Sequence, residues 1–111
     1  MKLAIYQDII ITNDDEYNKW LKDHTYIPKY QKLQKTIMKE VINPVVYPHI
    51  GEGIDDGIWD SEFNPQKIEA ISYSYSAQYV KVDLPFYCAS EGGEWDENLE
   101  EYVGRFGWDV I

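Results

Sequence analysis

The pattern of apolar and polar residues divides the first part of the chain into a strand and a helix. Residues 2–12 are dominated by β-branched and aromatic side chains, which favours a strand. Asn13 then stands three residues before Glu16, the spacing of a capping box, and acids occupy the first helical turn. Apolar side chains follow at helical spacing, so we predict a helix over 14–24 with Trp20 on its buried side.

The next stretch also shows helical spacing. Its apolar residues recur three or four positions apart, at Tyr30, Leu33, Ile37 and Val41. Most of the other side is occupied by Lys29, Lys32, Lys35 and Lys39. This predicts a second helix over 29–41 that begins after Pro28 and buries Leu33 and Ile37. Asn43 and Pro44 should end this helix, and 45–47 is predicted to be a short strand or an extended segment.

Strict alternation occurs further along the chain. Apolar and aromatic residues at Ile71, Tyr73, Tyr75, Ala77 and Tyr79 alternate with Ser72, Ser74, Ser76 and Gln78. This predicts strand structure over 69–83, with these tyrosines on one face and the serines on the other. The alternation changes phase between Tyr79 and Val80, so we expect a bulge or a turn near Ala77 and Gln78.

The remaining segments are shorter and complete the predicted fold. Residues 51–65 contain three Gly, five acids and one Pro, which predicts a long loop. We predict strands at 86–89 and 108–111. Apolar residues again recur at helical spacing over 95–105, which predicts a helix that buries Leu99 and Val103. The whole pattern predicts a single α+β domain, 1–111, with a small antiparallel sheet of about four strands and about three helices.

Charge is unevenly distributed along the chain, and this narrows the classes of partner. Residues 1–50 contain seven Lys and six acids, a net charge of +1. Residues 51–111 contain two Lys, one Arg and fourteen acids, a net charge of −11, which gives −10 for the whole chain. Negative charge at this density repels nucleic acid and anionic membranes and attracts basic surfaces. We therefore expect neither direct nucleic-acid binding nor a membrane partner.

The residues that most often serve as nucleophiles are scarce. The single cysteine, Cys88, cannot form an internal disulfide, and it lies in an apolar stretch that predicts a place in the core or sheet. His24 and His49 are the only histidines, and no surrounding motif marks either as a catalytic base. No secretory signal pattern and no apolar run of the roughly 20 residues that span a bilayer is present, so we expect a reduced, cytoplasmic protein.

The predicted loop offers the only candidate metal ligands. Asp55, Asp56, Asp60 and Glu62 lie close together in sequence, and carboxylate oxygens suit Ca²⁺ or Mg²⁺. Their spacing does not match a calcium-binding loop, and no phosphate-cradling glycine loop is present. We expect no metal site and no cofactor. A small metal-dependent hydrolase using Asp55, Asp56 and Asp60 remains the alternative from a different functional class.

A second group of acids surrounds the last predicted helix with few basic neighbours. Together with the loop acids, it forms a set of ten candidate partner-binding carboxylates, hereafter the acid set: Asp55, Asp56, Asp60, Glu62, Glu91, Glu94, Asp96, Glu97, Glu100 and Glu101. Like charges three or four positions apart on a helix repel, so an uncompensated run costs stability unless it serves another purpose. Keeping the protein soluble is one such purpose and binding is another. Trp59, Phe63, Trp95 and Tyr102 lie nearby as candidate apolar anchors.

The acid set leads to a hypothesis about function. Carboxylates held on a rigid protein can occupy the Lys- and Arg-lined groove in which another protein binds nucleic acid. In size and charge the chain resembles small phage-encoded inhibitors of host defence or repair enzymes, and anti-CRISPR proteins are among these. No motif carries this resemblance. From the acid set we expect a non-enzymatic inhibitor, and a phage or mobile-element origin would place it in the host cytoplasm, with a CRISPR nuclease or a DNA-repair enzyme as target. An immunity protein or antitoxin that neutralises a basic toxin is the alternative within the same class.

Overall fold

The first strand is the centre of the fold. The computed structural model describes residues 2–111, in which β1 (Lys2–Thr12) pairs antiparallel along its length with β2 (Leu33–Ile42). On its other side β1 pairs parallel with two strands in turn, β6 (Tyr79–Asp83) and β7 (Tyr87–Ser90). β1 therefore has neighbours on both sides, and most of its residues are buried.

Two further strands extend the sheet and two form a separate ribbon. β5 (Ala70–Ser74) lies outside β6, and β8 (Asp109–Val110) lies outside β2, both antiparallel. The result is a six-stranded mixed sheet. β3 (Gly53–Ile54) and β4 (Gln66–Lys67) pair with each other and frame the loop that contains a 3₁₀ turn at Ser61–Phe63.

Three helices accompany the sheet. They are α1 (Asp14–Lys22), α2 (Glu94–Glu97) and α3 (Leu99–Gly104). Trp20 of α1 packs edge-on against Tyr87 of β7, at a ring-centroid distance of 5.4 Å. Tyr87 aligns with Ile9, so α1 covers the sheet face that carries Ile9. Among residues 2–111, no helix has the length and apolarity needed to cross a membrane.

The α+β class is confirmed, but the predicted four-stranded antiparallel sheet is wrong. The sheet has six strands and is mixed, because β1 accepts parallel partners along one side and an antiparallel partner along the other. Strand order of this kind depends on contacts between residues far apart in sequence. Alternation within a single segment carries no information about it.

The predicted helix over 29–41 is also wrong, since most of this segment belongs to β2, which begins at Leu33. Leu33, Ile37 and Val41 are four residues apart, and this spacing fits both the helical period of about 3.6 residues and the strand period of 2. On a helix it places side chains one turn apart, and on a strand it places them on one face. Ile37 is completely buried as predicted, whereas Leu33 is only partly buried. Pairing with β1 decides between the two periods.

Most other local predictions are confirmed. The helix over 14–24 is α1, with the Asn13 side chain accepting a hydrogen bond from the Glu16 backbone N–H at 2.9 Å. The strands predicted at 86–89 and 108–111 are β7 and β8. Residues 95–105 form α2 and α3, divided at Asn98, and the predicted core residues Trp20, Leu99 and Val103 are buried. Residues 45–47 form no strand.

The tyrosine faces were predicted incorrectly. A turn over 75–78 reverses the chain between β5 and β6, with Gln78 at a positive φ of 54°. This confirms a turn near Ala77 and Gln78. Across the two strands Tyr73 lies opposite Val80, while Tyr79 lies opposite Ser74. Tyr73 and Tyr79 therefore project from opposite faces, because the turn separates them onto two strands.

Glu16 joins α1 to the segment that leads into β2. One carboxylate oxygen accepts a hydrogen bond from the Tyr26 hydroxyl at 2.7 Å, and the other accepts one from the Lys29 backbone N–H at 2.8 Å. Lys19 lies 3.3 Å from the first oxygen. These contacts stabilise the charged form, with the Tyr26 hydroxyl as the largest cause, and lower the Glu16 pKa from 4.5 to about 2.

We predict that Glu16 makes the stability of the fold dependent on pH. Because its pKa is lowered on folding, its contribution is fully present above pH 4.5 and is lost as the pH falls towards about 2. Glu16→Gln should therefore lower the urea midpoint clearly at pH 7 and much less near pH 2. The difference in midpoint between wild type and variant, the gap, should thus narrow as the pH falls. Urea denaturation of both proteins across this range measures the gap. Tyr26→Phe should give a smaller gap that narrows in the same direction, whereas a constant gap would contradict the assignment.

Candidate functional site

The loop that was predicted to carry four of the acids is held in one conformation by Asp56. One oxygen of its carboxylate accepts the Ile58 backbone N–H at 3.0 Å, and the other lies 2.7 Å from the Lys39 Nζ. Asn64 accepts the Asp56 backbone N–H at 3.1 Å and donates its side-chain amide to the Trp59 carbonyl at 2.9 Å. Asp56 is mostly buried by these contacts, so its carboxylate is committed to the fold.

Two hydrogen bonds then fix the loop against the rest of the molecule. The Trp59 indole N–H donates to the side-chain oxygen of Gln7 in β1 at 2.8 Å. The Tyr102 hydroxyl of α3 donates to the Ile58 carbonyl at 3.0 Å. The loop is thereby held between the sheet and α3, which brings it beside residues more than forty positions later in the chain.

Aromatic side chains form a continuous row at this junction. Trp95 of α2 is at its centre, with its ring centroid 5.1 Å from that of Tyr87 and 5.0 Å from that of Tyr102. Tyr87 continues the row to Trp20, and Trp20 in turn stacks on Tyr17 at 5.9 Å. Tyr17, Trp95 and Tyr102 are only partly buried. The row thus presents aromatic surface to solvent at three places.

Carboxylates from the loop and from α2 contribute to raised pKa values of tyrosines in this aromatic row. Burial is the first cause of a raised pKa at Tyr17, Tyr87 and Tyr102, and the negative charge of Asp60 adds to it at all three. Glu62 contributes at Tyr17 and Tyr87, and Glu94 contributes at Tyr102. Two acid segments separated in sequence therefore lie near the same row of rings, and the hydrogen bond from the Tyr102 hydroxyl to the Ile58 carbonyl holds the loop against α3. We call this surface the acid–aromatic face; it comprises Tyr17, Asp60, Glu62, Glu94, Trp95 and Tyr102.

Asp96 has a structural role despite its place in the acid set. Its carboxylate lies 2.7 Å from the Lys32 Nζ and accepts the Gly92 backbone N–H at 2.9 Å. The Lys32 hydrogen bond is the main cause of a lowered Asp96 pKa, and the Gly92 N–H adds to it. Only 6% of the Asp96 side chain is exposed. Asp96 thus binds both Gly92 in the turn before α2 and Lys32 in the segment before β2, and it holds the two segments together.

The other members of the acid set are exposed. Arg105 lies 3.5 Å from Glu94 and 3.1 Å from Glu101, and such exposed pairs stabilise a fold only weakly. Six members of the acid set are exposed and have no ion-pair partner within residues 2–111: Asp55, Asp60, Glu62, Glu91, Glu97 and Glu100. The structure therefore divides the acid set into two structural carboxylates, two that share Arg105, and six that face solvent unpaired.

Sequence reasoning missed the residues that hold the two structural carboxylates. Lys32 and Lys39 were placed on the outside of a helix, whereas in the structure they bind Asp96 and Asp56. Gln7 and Asn64 hold the loop in place, and no sequence motif marks either of them. The one available sign of Gln7 was its position on the strand face shared by Ile5 and Ile9, because a buried amide needs hydrogen-bond partners.

The structure also shows the surroundings of Cys88 and of the candidate metal ligands. Cys88 is fully buried in β7, which confirms its predicted place in the sheet, and burial raises its thiol pKa to about 12. At neutral pH the thiol therefore stays protonated. Within the part of the chain that the structure describes, no three His, Cys, Asp or Glu side chains are grouped closely enough to hold a metal ion.

Comparison with known proteins gives no relative. No protein-family model, no curated protein sequence and no solved structure matches the chain. Function is therefore inferred from the charge and geometry of its own residues.

We predict that the neighbours Asp55 and Asp56 differ sharply in their effect on stability. Asp56→Ala removes the Lys39 ion pair and leaves the Ile58 N–H without its acceptor, so it should lower the free energy of unfolding by about 1–3 kcal/mol. Asp55→Ala removes only an exposed carboxylate and should change it by less than about 0.5 kcal/mol. Urea denaturation at neutral pH measures both. Equal losses would contradict the structural role of Asp56.

Proposed function

We propose that this chain is a non-enzymatic inhibitor that binds the basic, nucleic-acid-binding face of a larger protein. The observation that carries the proposal is the acid–aromatic face: the Tyr102 hydroxyl holds the loop that bears Asp60 and Glu62 beside the helices that bear Glu94 and Trp95. A groove that binds nucleic acid is lined with Lys and Arg, and carboxylates are the side chains that such a groove attracts.

The excess of negative charge supports this proposal beyond its effect on solubility. Residues 51–111 carry a net charge of −11, and the cations of residues 1–50 neutralise only a few of these acids directly. The six unpaired members of the acid set repel one another and are screened only partly by salt. Their summed field accelerates encounter with a basic partner. Asp55, Glu91, Glu97 and Glu100 contribute to this field from outside the acid–aromatic face.

The partly buried aromatic residues supply what charge alone does not. Exposed ion pairs add little affinity, whereas Trp and Tyr that fill pockets on a partner carry much of the binding energy at interfaces. Trp95 and Tyr102 are packed against their neighbours, so their rings are already ordered before binding. A rigid aromatic centre surrounded by carboxylates is suited to a groove that is basic at its rim.

Asp56 and Asp96 do not belong to the carboxylates that we propose contact the partner. Both are largely buried and engaged with a lysine, and Asp96 also accepts a backbone N–H. A partner that recruited either carboxylate would first break these contacts. Their role is to hold the loop and α2 in place, which positions the contact residues.

The contact set is tested by removing charge from the acid–aromatic face. Asp60→Asn with Glu62→Gln removes two carboxylates with no ion-pair partner in residues 2–111, and the Asp60 side chain makes no capping hydrogen bond to the 3₁₀ turn. Folding stability should stay constant. Association with the target should slow by a factor of a few, within the roughly 10–10³-fold range of electrostatic steering. Its dependence on salt should also weaken.

A matched control removes the same charge elsewhere. Glu69→Gln with Asp109→Asn also deletes two exposed carboxylates, but neither residue belongs to the acid–aromatic face. Each of the three proteins is immobilised and exposed to a CRISPR nuclease, to a DNA glycosylase and to an extract of the native host. Proteins captured by wild type and control but released by the face variant are the candidate targets.

Competition with nucleic acid then decides between inhibition and other kinds of binding. Labelled duplex DNA is bound to the captured protein, and the chain is titrated in while fluorescence anisotropy is recorded. We expect displacement of the duplex, with the face variant displacing it less well than the control. Capture of a protein whose nucleic-acid binding is unaffected would contradict the proposed function.

A further inference from the structure

The outer edge of the sheet at β5 has no partner strand among residues 2–111. β5 is the terminal strand in the order β5-β6-β1-β2-β8, and its only neighbour is β6. Alternate residues of such a strand direct their backbone N–H and C=O groups away from the sheet. These groups form a ready template for another strand.

This edge lacks the features by which proteins usually protect an edge strand. Charged residues, prolines and bulges are the common devices, and residues 70–80 contain no charged residue, no proline and no glycine. The opposite side of the sheet differs. There β8 is only two residues long, and β2 carries Lys35, Lys39 and Glu40. Of these two terminal edges, only the β5 edge lacks such protection.

Large aromatic side chains are exposed along the same edge. Tyr73 in β5 is 63% exposed, and Tyr75 in the following turn is 86% exposed. Both flank serines, so the strip is uncharged but able to form hydrogen bonds. In a chain of net charge −10, a strip of this kind is where another acidic surface can approach with the least repulsion.

The strand is also complementary to itself. Ile71 and Tyr73 share one face of β5, and Ser72 and Ser74 share the other. When two copies pair antiparallel about a two-fold axis at Ser72, each Ile71 lies opposite a Tyr73 of the other copy. Centring the axis on Tyr73 instead pairs the two Tyr73 rings. Aromatic–aromatic and aromatic–β-branched pairs are favourable across strands, and the serines face one another in both registers.

We propose that β5 is a dimerisation edge, at which two copies of this chain pair antiparallel and join their sheets into one. The contact is isologous, so it closes after two copies. Strands are about 4.8 Å apart, so β8 and the α3 helix that packs on it lie roughly 20 Å from the paired edge. The exposed acids of α3 and β8, which are Glu100, Glu101 and Asp109, therefore lie far from the junction, and this limits the repulsion between two copies.

The dimer should be concentration-dependent, because a pair of short strands gives a small interface. Sedimentation velocity of the wild-type chain over a wide concentration range should show the mass rising from 13.1 kDa towards twice that value. Raising salt from about 0.1 M to about 1 M shortens the Debye length from ~10 Å to ~3 Å and should strengthen the dimer. This sign is opposite to that expected for binding to a basic partner, so the two proposals fail independently.

A matched pair of variants tests the edge itself. Ser72→Glu adds a charge at the centre of the edge, and Lys81 lies opposite it on β6, so the monomer should stay folded. Gln34→Glu adds the same charge at an exposed position of β2. We expect loss of the dimer in Ser72→Glu alone. Circular dichroism checks that both variants are folded.

Amide exchange locates the interface independently of the variants. Exchange over 70–76 should slow as the wild-type concentration rises, and should not change with concentration in Ser72→Glu. A monomer at every concentration and salt would overturn the proposal. A dimer that survives Ser72→Glu, or one that protects β2 and β8 while β5 exchanges freely, would overturn it as well.

Discussion

A single buried amide, that of Gln7, connects the three parts on which the site depends. It lies in the middle of β1 and is 1% exposed, and a polar group so deep costs free energy unless it is hydrogen-bonded. Its nitrogen donates to the Pro85 carbonyl at 2.9 Å, and its oxygen accepts the Trp59 indole N–H at 2.8 Å. The side chain thus holds the sheet, the connection between two strands and the loop together.

The Pro85 contact explains how β1 can have two parallel neighbours along one side. Residues between β6 and β7 interrupt the pairing, and proline has no N–H to contribute to a ladder. The chain stays beside β1 through the Leu84 N–H, which donates to the Tyr6 carbonyl at 3.0 Å, and then through the Gln7 amide. Gln7 therefore takes the place of a backbone hydrogen bond at the break and lets β7 resume the sheet.

The hydrogen bond between Gln7 and Trp59 also fixes the position of the loop that contributes to the acid–aromatic face. Trp59 and Asn64 fix the loop, and the loop in turn accepts the Tyr102 hydroxyl of α3. The positions of Asp60 and Glu62 relative to Trp95 thus follow from a residue that lies at the centre of the sheet. A surface that would bind by complementary charge benefits from such rigidity, because ordering flexible side chains and loops reduces affinity.

Local features of this chain could be predicted from its sequence, whereas features that depend on distant contacts could not. β1 and α1 were predicted correctly because β-branched residues, a cap at Asn13 and acids in the first turn all favour the same structure. At 29–41 the apolar spacing fits a helix and a strand equally well, and only pairing with β1 makes it β2. The same limit applies to Lys32 and Asp96, which are 64 residues apart.

The distribution of charge along the chain follows from these distant contacts. The first half has a net charge of +1 and the second of −11, and Lys32 and Lys39 of the first half bind Asp96 and Asp56 of the second. Lysines that favoured an exposed helical face in the sequence therefore neutralise acids that would otherwise be buried without a partner, which is costly. The acids that remain unpaired are exposed, where repulsion is weakest and water solvates each carboxylate. Lys32 and Lys39 thus neutralise the two acids that position α2 and the loop, whereas six exposed members of the acid set have no ion-pair partner within residues 2–111.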